Sequence, residues 1–185
     1  MKKIIALALS LMMLLGCVSA LAEAAEKDTI TMLGAFTVTH DKLPADYAMT
    51  VVTDTEMEYE AIFTSEDAKK PMIDLLMCFS DEWSGVETWA DATPEDVEAV
   101  KESFYEVTEM DDGDITFEDS TTGKGTPILI AKGADGSFAA AYTIFKSHEI
   151  ELDIFPGEEQ EAVTDEDIAR IVAFLTDIEF APVEK

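Results

Sequence analysis

The chain has 185 residues, with 40 acidic residues against 12 Lys and Arg, a formal charge of −28. Neutralising a phosphate backbone needs clustered Lys and Arg, which are absent here, so nucleic acid is excluded as a partner. Apolar residues make up 48% of the chain, enough for a core and too many for a disordered acidic tail.

The chain opens with Lys2 and Lys3, followed by an apolar run from Ile4 to Leu15. A helix that crosses a bilayer needs about 20 apolar residues, so this run is short for a permanent anchor. A charged start, a short apolar stretch and a small-residue exit describe a signal peptide. Two processing chemistries fit it. Ala20-Leu21-Ala22 before Glu23 is an A-x-A exit, which makes 1–22 a signal peptide and releases a soluble secreted protein. Leu14-Leu15-Gly16-Cys17 resembles a bacterial lipobox, with Cys17 the lipidated residue that would hold the domain at the outer face of the cytoplasmic membrane. Val18 is larger and less polar than the residue usual after such a Cys. Contact with a membrane is expected only if Cys17 is lipidated. Once Cys17 is removed or modified, Cys78 has no internal partner, so the fold must stand on packing without a disulfide. Cys78 lies in the run Leu75-Leu76-Met77-Cys78-Phe79 and reads as a buried, inert thiol.

Residues 23–28 read as a mobile leader, and 29–183 as a single domain. Ile30, Met32, Phe36 and Val38 share one parity, which predicts a half-buried strand, and Tyr47, Met49 and Val51 repeat the pattern. Tyr59, Ala61 and Phe63 do the same against Glu58, Glu60 and Thr64, while the dense run Met72 to Phe79 predicts a central strand. Thr93-Pro94-Glu95-Asp96 starts a helix, with Thr93 as the cap and Pro94 where no N–H is needed. Val97, Val100, Phe104 and Val107 follow at helical spacing.

Strands are next predicted around Ile115 and Phe117, over Pro127 to Lys132, and from Phe138 to Ile144 after the Asp135-Gly136 turn. Lys146-Ser147 then turns the chain into Ile150, Leu152 and Ile154, whose other face is Glu149, Glu151 and Asp153. Thr164-Asp165-Glu166-Asp167 opens a second helix with the stripe Ile168, Ile171, Val172, Leu175 and Ile178. The order is four strands, a helix, four strands, a helix. Short turns between consecutive strands indicate antiparallel pairing, so the fold class is α+β: one antiparallel sheet of about six to eight strands with two main helices packed on it, after an N-terminal signal peptide.

The exported leader, the early strands with Phe36, Val38, Leu43 and Pro44, the central helix and the last helix together resemble the Mog1/PsbP-like fold over about Thr29 to Val183. The resemblance implies a small exported protein or lipoprotein that binds or scaffolds without chemistry of its own. It supplies no fixed catalytic residues.

The residues themselves offer few reactive groups. His40 and His148 both follow turn or strand-end residues and are expected at exposed turns. No G-x-S-x-G surrounds Ser84, and no H-E-x-x-H occurs. Gly123-Lys124-Gly125 lacks the first Gly and the Ser or Thr of a phosphate loop and reads as a hairpin. Met110-Asp111-Asp112-Gly113-Asp114 is acidic, but an EF-hand register would put Thr108 and Met110 where carboxylates belong. Asp111, Asp112, Asp114 and Asp119 remain the candidate ligands for weakly bound calcium, the one cofactor the sequence suggests. Trp83 and Trp89 are candidate contacts for a ligand or partner, and otherwise cover a sheet edge or the first helix.

Three functions follow in order. The first is a non-enzymatic exported binding or accessory module of the cell envelope, whose partner is an unidentified protein or small molecule. The second is a calcium-responsive surface protein using the 111–119 loop. The third is a carboxylate-based hydrolase of extracellular polymer, for which no catalytic residue can be singled out among so many acids.

Overall fold

The computed structural model describes residues 29–32, 36–39, 47–177 and 179–182. The expected 1–22 signal peptide, Cys17, the 23–28 leader, His40, Leu43, Pro44 and Ile178 lie outside them. Among the described residues, ten strands and two α-helices run in the order β1 (Thr29–Met32), β2 (Phe36–Thr39), β3 (Tyr47–Asp54), β4 (Glu58–Ser65), β5 (Met72–Phe79), α1 (Pro94–Thr108), β6 (Ile115–Thr121), β7 (Pro127–Gly133), β8 (Ala139–Phe145), β9 (His148–Phe155), α2 (Asp165–Asp177) and β10 (Glu179–Pro182). Short 3₁₀ turns at Asp81–Trp83 and Trp89–Asp91 lie between β5 and α1.

The main sheet has seven antiparallel strands in the order β3-β4-β5-β9-β8-β7-β6. Two meanders, β3 to β5 and β6 to β9, meet where β5 pairs with β9. The connection through α1 carries the chain to the far edge, and the second meander returns to the centre. The α+β class with an antiparallel sheet and two helices is therefore what the chain forms.

The single strand expected over Ile30 to Val38 is instead two, β1 and β2, paired antiparallel. They join β10, which the sequence reading did not anticipate, in a separate three-stranded sheet. Residues on both sides of a tight reversal can keep the same parity, so alternation alone did not show the turn.

One face of the main sheet carries Tyr59, Ala61, Phe63, Ile73, Leu75, Met77, Ile150, Leu152 and Ile154, packed with Ile168, Ile171 and Val172 of α2. The α2 start is fixed by Asp167, which accepts from both the backbone and the hydroxyl of Thr164. On the opposite face, Val100 and Phe104 of α1 pack with Phe117, Phe138, Ala140, Tyr142, Trp83 and Trp89. Thr93 and Asp96 form the reciprocal cap expected at the start of α1. The α1 layer thus covers the β6–β8 half of this face. The β4, β5 and β9 portion has a different character.

Candidate functional site

Alternation along β9 sends Ile150, Leu152 and Ile154 to the α2 face, so Glu149, Glu151 and Asp153 must share the other. Read alone, such a strand has one dry and one wet side. Its place in the sheet changes that reading, because β9 is flanked by β5 and β8. Asp74 stands directly opposite Asp153, Leu76 opposite Glu151, and Cys78 opposite Glu149. On the other side Tyr142 faces Glu151. From β4, Glu60 faces Leu76 and Glu58 faces Cys78. Six carboxylates, a phenol and a thiol therefore meet on one patch at the sheet centre.

The patch is largely dry. Asp74 and Glu151 are each 3% exposed and Glu60 is 6% exposed. Glu149, Asp153 and Glu58 are half-buried. Burial without a counter-charge favours the protonated acid. For Asp74, burial together with Asp153 and Glu60 raises the carboxyl from 3.8 to about 8. Burial raises Glu151 well above the carboxylate range, and Asp153, Glu149 and Asp74 push it further. Asp153 is raised by burial as well, against a bond to Glu151 that pulls it down. Glu60 is raised by burial and by Glu58, with Thr53 opposing. At neutral pH, part of the row is neutral acid.

Three oxygens in this patch have no hydrogen-bond partner among the described residues: Asp74 Oδ1, Glu151 Oε1 and the Tyr142 hydroxyl. Buried polar atoms are nearly always paired, so three neighbouring exceptions call for an explanation. At the other end of the row, Glu149 is well satisfied. It accepts from the Trp83 indole N–H and, at 3.3 Å, from the Cys78 thiol.

The segment carrying Trp83 is pinned to the β8–β9 turn. Lys146 N–H donates to Glu87 O and Ser147 N–H to Val86 O, at 2.9 and 3.0 Å. Lys146 and Ser147 both have positive φ, as the tight turn expected there requires. Trp83 and Trp89 are each 6% exposed. Their rings lie 6.4 and 5.3 Å from that of Tyr142. Both tryptophans are thus packed on the sheet, in the buried cluster that also holds Val100 and Phe104 of α1, and Trp83 touches the carboxylate row through its nitrogen.

His148, expected at an exposed turn, is 8% exposed. Its Nδ1–H donates to the Lys146 carbonyl at 2.8 Å and its ring packs edge-on to Phe79. It is the first residue of β9, and pairing with Phe79 and Phe145 draws it into the sheet. Cys78 is buried as expected, and burial together with Glu149 pushes its thiol far up, away from the reactive thiolate.

Asp111, Asp112 and Asp114 share the exposed loop between α1 and β6, where Asp114 N–H donates to Asp111 O at 3.0 Å. Asp119 sits within β6, opposite Leu129. Five residues of strand separate it from Asp114 by roughly 16 Å, so it does not join the loop acids. Among the described residues, no group of three or more His, Cys, Asp and Glu side chains is arranged to hold a metal ion. Gly123 and Gly125 lie in the β6–β7 hairpin loop, as expected, with Gly125 N–H donating to Thr122 O.

A hollow of about 550 Å³ opens at the end of the sheet between residues 64–72 and 155–158. Its lining includes Pro71, Met72, Phe155 and Pro156, and it holds none of the buried acids. The carboxylate row was missed because Asp74 is a single acid inside an apolar run and because Glu149, Glu151 and Asp153 read as a solvated face. The lone Asp within Met72–Phe79 was the one local signal.

No protein-family model and no curated protein matches the chain. Among the described residues, no helix is long and apolar enough to cross a membrane.

Proposed function

We propose that the chain is an exported, non-enzymatic binding or accessory module of the bacterial cell envelope, built on a Mog1/PsbP-like domain. The observation that carries this reading is the buried carboxylate row with its three unpartnered oxygens. Unpaired polar groups cost stability, and sites that bind are where such a cost is recovered. The groups best suited to attack a substrate are engaged elsewhere: the Cys78 thiol is held protonated and the His148 ring is tied to a backbone carbonyl.

Capture from envelope extracts at low and high salt tests the reading. A partner or small molecule retained at low salt and lost at high salt is expected, because exposed charges are screened beyond about 8–10 Å at physiological ionic strength. Recovery of no salt-sensitive partner contradicts it. Intact mass of the mature protein separates cleavage before Glu23 from lipidation at Cys17, and full-length chain in the cytosol would overturn export altogether.

A carboxylate-based hydrolase is the second reading, favoured by Asp74 facing Asp153 with both carboxyls raised. Such pairs supply a general acid beside a base. A polymer must reach both groups, however, and Asp74 is 3% exposed. Release of reducing ends from wall polysaccharide, abolished by Asp74→Asn, would favour this reading over the first.

A further inference from the structure

We propose that the β9 carboxylate row, flanked by Asp74 and Tyr142, is a binding site for a linear organic polycation, a flexible chain bearing two or more ammonium groups. This rests on the reading of the domain as a binding module and names the ligand class.

The first argument is unmet demand for donors. Asp74 Oδ1, Glu151 Oε1 and the Tyr142 hydroxyl lack partners among the described residues, and each of these residues is at least 95% buried. The charged groups acting on Asp74 are Asp153 and Glu60, and those acting on Glu151 are Asp153, Glu149 and Asp74. Tyr142 is surrounded by Glu149, Glu151 and Cys78. None of these supplies a positive charge. An ammonium group has three donors and no acceptor, so it meets this deficit without leaving an unpaired atom of its own.

The second argument is spacing. Glu149, Glu151 and Asp153 alternate along one strand, so their attachment points recur at about 6.6 Å, twice the rise per residue. Calcium or magnesium needs oxygens that converge to roughly 2.0–2.6 Å around one point. Acceptors spread along a line suit donors spread along a line, as in a short-spaced polyamine. Between Glu60 and Glu151 the row carries Leu76, and beside it lie the rings of Tyr142 and Trp83. These are buried apolar groups, of the kind that packs against methylene spacers. Glu149 and Asp153, at the two ends of the row, are half-buried, unlike Glu151 between them.

Binding is linked to protons. Acids kept neutral by burial ionise when a cation arrives, so uptake releases protons to solvent. Diffuse surface attraction carries no such release, since a solvated carboxylate is in general ionised at neutral pH.

Titration calorimetry of the purified protein with spermine, in two buffers of different ionisation enthalpy, tests the proposal. Spermine is expected to bind with proton release, and Glu151→Gln or Asp153→Asn to weaken it about tenfold or more. Both substitutions keep the shape of the protonated acid, so folding is retained. The exposed pair Glu118→Gln with Asp119→Asn should leave affinity unchanged. Equal affinity in all variants, or binding without proton release, overturns the proposal in favour of surface attraction. Calcium chloride that binds equally, with the same proton release, overturns the organic ligand class. Absence of spermine binding alongside a salt-sensitive envelope partner overturns this inference and leaves the binding-module reading standing.

Discussion

Asp74 and Asp153 stand directly opposite one another across the β5–β9 ladder, on the face away from α2. Like charges placed directly opposite in a sheet repel, and here burial sharpens the repulsion. The pair persists because at least one member keeps its proton at neutral pH. Several measurable consequences come from that arrangement and from the contacts around it.

Stability should fall as pH rises. The Asp74 carboxyl is raised from 3.8 to about 8, so between those values the folded chain holds protons that the unfolded chain has lost. The stabilisation is complete below about pH 4 and is lost as pH climbs toward 8. Thermal melts should show a higher Tm at pH 5 than at pH 8.5, and each kcal/mol lost lowers Tm by roughly 2–4 °C in a domain of this size. Asp74→Asn should flatten the slope. A Tm that rises with pH over this range contradicts the burial of neutral acids.

Asp167 titrates in the opposite sense. Burial opposes its charge, but bonds from Thr164 and Gln160 and the nearby Arg170 outweigh that and hold its carboxyl below the usual range. Its contribution is present above the unfolded value near 4 and is lost as pH falls through the lowered folded value. Asp167→Ala removes the α2 cap and should cost about 1–2 kcal/mol, read as a lower urea midpoint at pH 7. An unchanged midpoint would show that the cap is dispensable.

Gly157 is required by space. A Cβ at this position would lie 2.3 Å from the Lys70 carbonyl oxygen and 2.5 Å from that of Ala68. Glu159 N–H donates to the same Ala68 oxygen at 2.8 Å, so the two loops are locked together. Gly157→Ala should therefore destabilise by about 1–3 kcal/mol. Chemical denaturation checks this, and a wild-type midpoint would mean that the loops part at little cost.

The Cys78 thiol should resist alkylation. It is buried, donates to Glu149 and is pushed far above the ordinary thiol range. Iodoacetamide at pH 8 should modify the Cys78 peptide only after denaturant is added, as followed by mass spectrometry. Native labelling at the denatured rate would contradict the packing of β5 against β9.

The local elements were legible because their signals are local. The Thr93-Pro94 start of α1, the Lys146-Ser147 turn and the apolar run of β5 each declare themselves within a few residues. The site was not, since it depends on which strands become neighbours. Glu151 looks solvated on β9 alone and becomes 3% exposed only once β5 and β8 flank it. Trp83 reads as a free aromatic until the 80–92 segment is pinned to the β8–β9 turn, which carries its nitrogen to Glu149. Long-range pairing of this kind leaves no mark on the periodicity of either strand.

The most direct test is a carboxyl carbon NMR titration of the purified protein from pH 3 to pH 9. The Asp74 resonance should still be shifting near pH 8, with Glu151 and Asp153 also protonated well above the usual carboxylate range. Completion of every Asp and Glu titration below about pH 5, near the values of solvated acids, would contradict the buried, uncompensated row on which the account rests.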